Sequence, residues 1–109
     1  MFDGLWTVEF ISMSNRSGKG VIVISDGRLL GGDSAYYYSG NYKIENNNIS
    51  GDIFIIRYEP IGISVFGDIN SFKLTFSGKI DNLHFTASAM IPDMPQFELR
   101  IVGNKKEDL

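Results

Sequence analysis

Among the chain's thirteen carboxylates, Asp33, Asp52, Asp68 and Asp93 stand out beside the single histidine, His84, as side chains whose chemistry suits proton transfer. All four aspartates fall in or beside segments that read as turns, where a carboxylate ordinarily bonds its own backbone. His84 is the only histidine and cysteine is absent. A general base needs a nucleophile and an orienting partner, and a metal needs several ligands, so neither constellation is visible. No catalytic residue, metal ligand or cofactor is assigned, and the chain reads as a non-enzyme. The stretch "RSGKGV" (Arg16 to Val21) resembles the end of a phosphate-binding loop, but Met13 and Gly20 stand where that motif needs a glycine and a hydroxyl. Gly31-Gly32-Asp33 reads as a turn, with no following helix whose N-terminus could hold an anion.

Aromatic side chains offer a different chemistry. Tyr36, Tyr38 and Tyr42 share one face of an alternating run, with Tyr37 on the other. Together with Trp6 they can line a cavity for a small apolar ligand, each tyrosine giving a ring and a hydroxyl. They can equally be core aromatics whose hydroxyls reach the rim of the fold.

The elements that must position these residues are strands, because the dominant hydrophobic period is two. In "LWTVEFIS" Trp6, Val8 and Phe10 oppose Thr7 and Glu9; "FKLTFSGK" and "FELRIV" alternate likewise. Two segments break the rule: "GVIVIS" (Gly20 to Ser25) and "IFIIRY" (Ile53 to Tyr58) are apolar on both faces, the pattern of a strand covered on its outer side or used for binding. Phe54, Ile56 and Tyr58 are therefore candidate interface residues, or Ile53 and Ile55 if the register is reversed. Asp26-Gly27 and the run Asn46-Asn47-Asn48 are hairpin turn signals, Asp81-Asn82 is a third, and the prolines of "IPDMPQ" end one strand and aim the next. Glu59 to Ile69 is the longest irregular connection.

About eight strands result, near Leu5–Ser12, Gly20–Ser25, Arg28–Leu30, Tyr36–Glu45, Ile49–Tyr58, Phe72–Lys79, His84–Ala89 and Phe97–Val102. Sequential hairpins in this number close into a small up-and-down antiparallel barrel, because closure removes unpaired edges. Gly40, Gly51 and Gly78 mark bends at its corners. The 109 residues form a single all-β domain with a short polar tail near 103–109.

Composition excludes several partners. A net charge of −3 with scattered Lys and Arg lacks the basic footprint of nucleic-acid binding. No apolar run approaches the length of a spanning helix and no secretory leader is visible, so a cytoplasmic location is expected. The glycosylation triplets at Asn15 and Asn48 then read as chance matches in loops.

Taken together, "GLWTVEFIS", "GKGVIVISDGRLLGGDSAYYYSGNYKIE" and "SVFG" followed by "FKLTFSG" resemble the GrlR-type family of negative regulators of type III secretion genes. The most specific piece is "DGRLLGGDSAYYYSG" (Asp26 to Gly40). The resemblance implies an eight-stranded, lipocalin-like barrel, found as a homodimer, that restrains a transcriptional activator by binding it directly and has no need to touch DNA. It also implies a partner-binding loop after the tyrosine strand, where the family carries four carboxylates in a row. Glu45-Asn46-Asn47-Asn48 occupies that place and has one, which gives a far weaker field toward a basic partner.

Overall fold

Two dipeptides fix the hairpins. In the computed structural model, which describes residues 2–13, 17–58, 71–92 and 94–109, Asp26 and Gly27 have φ of 50° and 81°, and Asn46 and Asn47 have 49° and 67°. Those left-handed values are the signature of the two-residue type I′ turn, whose twist matches that of its flanking strands. Ser25 then pairs with Arg28, and Glu45 with Asn48, as the closing positions.

From these turns the chain builds β1 (Gly4–Ser12), β2 (Ser17–Ser25), β3 (Arg28–Gly32), β4 (Tyr36–Glu45), β5 (Asn48–Arg57), β6 (Ser71–Ile80), β7 (His84–Ile91) and β8 (Met94–Asp108). Each strand pairs antiparallel with the next and β8 returns to β1, giving a closed eight-stranded barrel. This is the architecture the alternation and turns predict. No helix among the described residues is long and apolar enough to cross a membrane.

Three boundaries differ from the sequence reading. Gly31 and Gly32 belong to β3, pairing with Ile22 and Val21, and the turn begins only at Asp33. β2 starts at Ser17 because "SGKG", poor in strand formers, is held by pairing along β1 from Phe10↔Gly18 to Val8↔Gly20. The supposed polar tail is strand: residues 103–108 of β8 pair with Gly4 to Val8 of β1, with an irregularity between Leu5 and Trp6. The expected connection Glu59 to Ile69, together with Asp68, Asp93 and Asn15-Arg16, lies outside the described residues.

The inward faces form one core. Trp6, Tyr36, Tyr38, Ile24, Ile49, Ile55, Leu74 and Ile101 are its largest fully buried members. Trp6 lies 5.4 Å from Phe85, ring to ring, and Phe10 meets Tyr38 edge-on at 5.3 Å, the tilted contacts that aromatic quadrupoles favour. Between Val8, Phe10, Tyr38, Phe76, Phe85 and their neighbours the wholly apolar void amounts to about 10 Å³, less than one small ligand requires. The interior glycines are where strands crowd. A Cβ on Gly40, Gly51 or Gly78 would lie 2.2, 2.0 or 1.9 Å from the carbonyl oxygen of Asp52, Asn41 or Thr86.

Candidate functional site

Closure directs recognition to outer faces and turns, because a barrel offers no long sheet edge for strand addition. The pleat sends alternate residues outward, and the register aligns them in rows. One row runs Leu5, Val23, Leu30, Ser39, Phe54 across β1 to β5; the next runs Thr7, Val21, Gly32, Tyr37, Ile56. Neither row contains a charge, and their three polar or small members are Ser39, Thr7 and Gly32. Phe54 is 49% exposed, Val21 47%, and Leu30 and Tyr37 45%. The opposite wall carries rows of another kind: Asp52, Thr75, Met90, Glu98, and beside it Ser50, Ser77, Ser88, Arg100. The outer surface is therefore divided into an apolar side and a polar side.

Charges border the apolar block. Glu9 faces Lys19 directly across β1 and β2, and Asp52 accepts a hydrogen bond from the Thr75 hydroxyl at 3.0 Å. Arg28 borders the block on β3, and Lys73 sits opposite Phe54 on β6. Both are exposed, and among the described residues neither is in an ion pair.

At the end of the block a polar node ties three segments. Asp33 Oδ1 accepts the backbone N–H groups of Ala35 and Tyr36, each at 2.8 Å, and its Oδ2 accepts the Tyr38 hydroxyl. Tyr58 donates its hydroxyl to the Asp33 carbonyl at 2.6 Å and its N–H to the Ala35 carbonyl at 2.9 Å. Burial, reinforced by the hydrogen bond and charge of Asp33, pushes the Tyr38 hydroxyl far above the ordinary phenol range. Tyr38 is thus a neutral, oriented core donor, and Asp33 is occupied as an acceptor. Its position suits anchoring, which holds Tyr37 and Tyr58 at the margin of the apolar rows.

The remaining sequence-predicted residues separate into groups. Of the cavity set, Trp6, Tyr36 and Tyr38 fill the core and only Tyr42 is partly exposed; these side chains occupy the interior that a ligand would need. Trp6 donates its indole N–H to the Phe2 carbonyl at 2.9 Å. Of the interface set, Phe54 and Ile56 point outward on β5 and Tyr58 follows at its end, exposed. The loop set is elsewhere. Asn46 and Asn47 form the tight turn between β4 and β5, the Asn47 carbonyl accepts from the Ile80 N–H at 2.9 Å, and Asn48 takes the Lys79 ammonium on its side chain. Asn48 therefore opens β5 instead of sitting in a loop. About six residues of strand, roughly 20 Å, separate it from Phe54, so the structure does not bring loop and interface sets together.

His84 is exposed at the start of β7, its Nδ1 3.5 Å from Asp81 Oδ1. Asp81 accepts the N–H groups of Leu83 and His84, which hold its carboxyl below the usual range. That is a turn motif. Among the described residues no group of three or more His, Cys, Asp or Glu could hold a metal ion.

Sequence reasoning marked β2 and β5 as two-sided and placed Tyr37 opposite its neighbours, yet missed Leu5, Leu30 and Tyr37 as members of one block. The available signal was the unpaired outward apolar residue in each strand; what joins them is register between strands distant in sequence. Comparison with protein-family models gives no match, and comparison with curated proteins gives none.

Proposed function

We propose that the protein is a regulator that acts by binding another protein through the outer face of β1 to β5, in the manner of a GrlR-type restraint on a transcriptional activator. The observation that carries the reading is the pair of charge-free rows, Leu5 to Phe54 and Thr7 to Ile56. A contiguous apolar patch of a few hundred Å² on a small protein is often functional, and an interface needs an apolar centre. The resemblance of Asp26 to Gly40 to the family hallmark supports the regulatory role. Five strands at their usual spacing, two rows deep, give a patch of roughly 300 Å². At about 25 cal/mol per Å² that is roughly 7 kcal/mol of apolar burial before the costs of association. A standard interface takes about 800 Å² from each partner, so the rim must supply the rest. The filled core speaks against the alternative of a hydrophobic-ligand carrier.

Phe54 tests the proposal without threatening the fold, because its ring is outside the core. Phe54→Ser is expected to reduce recovery of the bound partner from the native host about tenfold, the scale of one apolar anchor. Transcripts lowered by overproducing the wild type should stay unchanged with the variant. Equal recovery and equal repression by the two proteins would contradict the assignment of this face.

A further inference from the structure

The two charge-free rows form a strip that bends around the barrel. We infer that its occupant is a segment of another protein that is unfolded before binding and wraps the strip as an extended chain. This deepens the proposed function and rests on it.

Strand order fixes the curvature. β1 and β5 are four steps apart in a ring of eight, so Leu5 and Phe54 point away from opposite sides of the barrel, and Val21 on β2 is three steps from Phe54. Along the strands the strip is narrow. Its two rows stand about 7 Å apart, and polar rows bound them: Ser25, Arg28, Asn41 and Asp52 on one side, Glu9 with Lys19 on the other. Lys73 and Glu107 stand at the two ends. Charges of both signs are present along this border, so shape, rather than charge, chooses the occupant.

A rigid partner touches a convex surface only around one line of contact. A second copy, itself a barrel, or a straight helix laid across the strands would meet two or three neighbouring strands and leave about half of the roughly 300 Å² strip in water. What remains is far below the approximately 800 Å² that each side of a standard interface buries. A helix laid along a strand would run most of its length past the two apolar rows and over the polar ones. Strand addition is closed to any occupant, because the eight strands form a ring without a free edge. A flexible chain escapes these limits, since segments that order on binding can wrap a surface that a rigid body cannot follow. The path from Val21 to Phe54 is roughly 14 Å at the backbone and longer at the side-chain tips, a distance that about ten extended residues cover with ease.

The test is selection of random linear peptides of about sixteen residues, long enough to reach from β1 to β5, on the wild-type protein, with removal of every clone that also binds Phe54→Ser. The remaining clones are expected to bind Val21→Ser at least about tenfold more weakly as well, although positions 21 and 54 lie three strands apart around the ring. They should be indifferent to Ser88→Ala on the polar wall. The emission of Trp6, which has no exposure in the intact barrel, reports whether each variant is folded, and Val23→Ser, also on β2, serves if Val21→Ser is not. Clones that respond to Phe54→Ser alone would overturn the wrapping occupant while leaving the binding face intact. Concentration-dependent self-association abolished by Phe54→Ser would overturn it in favour of a second copy. If no linear peptide depends on Phe54, the inference falls: recovery of the host partner that still depends on Phe54 would then assign the face to a folded surface, and recovery independent of Phe54 would remove the face as well.

Discussion

A chain ending at Val102 is expected to show no cooperative unfolding transition and to lose the buried emission of its single tryptophan. Residues 103–108 look dispensable by composition, yet they close the barrel. Gly103, Asn104, Lys105, Glu107 and Asp108 pair with Val8, Thr7, Trp6, Leu5 and Gly4, and the Lys105 N–H donates to the Leu83 carbonyl at 2.8 Å. Removing them frees half of β1 as an edge and uncovers Trp6, which has no exposure in the intact protein. At about 1 kcal/mol for each backbone hydrogen bond and roughly 3 kcal/mol for uncovering an indole, the loss is comparable to the whole stability of a small domain. Urea unfolding followed by circular dichroism and by Trp6 fluorescence checks it. A single transition at the full-length midpoint, with unshifted emission, would show that β8 closure is not what holds the barrel.

Gly78→Val is expected to be nearly as damaging, although it adds only a small apolar group to a strand. A Cβ at that position would meet the Thr86 carbonyl oxygen at 1.9 Å and the Ala87 Cα at 2.5 Å. Both obstacles are backbone, so no side-chain rotation relieves them and β6 must separate from β7. Overpacking that displaces backbone costs about 3 kcal/mol, while replacing glycine by a β-branched residue returns at most about 1 kcal/mol in strand preference. Thermal unfolding of the variant beside Ser77→Val, which points outward on the same strand, isolates the effect. A melting temperature for Gly78→Val within a few degrees of Ser77→Val would mean that the two strands are not in close contact there.

The barrel was legible in the sequence because its determinants are local. Asp26-Gly27 and Asn46-Asn47 announce their turns, and the alternation of Trp6, Val8 and Phe10, or Leu74 and Phe76, announces which face is buried. The end of β8 was not legible, because the inward positions of that stretch are Gly103 and Lys105, and neither shows the hydrophobic period. Gly103 lies under the Phe85 ring, where a Cβ would come within 2.1 Å of a ring carbon, so smallness there is a packing requirement that resembles a loop signal. Lys105 is nearly buried and pairs with Asp108 at the mouth of the barrel. The candidate site was half legible. "IFII" showed a strand apolar on both faces but left open which pair faces outward, and the pairing of β5 turns Phe54 and Ile56 out and buries Ile53 and Ile55; the inward tyrosines read as core more readily than as cavity wall, and Tyr36 and Tyr38 are buried in the core. The expected recognition loop, Glu45 to Asn48, proved to be a two-residue turn far along the barrel from Phe54, a separation set by strand length and invisible to motif reading.

The account stands on the claim that the outer face of β1 to β5 is where a partner sits. The most direct measurement is photo-crosslinking in living cells of the native host, with a photoreactive amino acid placed singly at position 54 or 37 on that face, or at position 88 on the polar wall. The account predicts a crosslinked adduct with a second, different protein from positions 54 and 37 and none from position 88. Adducts from position 88 alone, or of equal yield from all three positions, would contradict it.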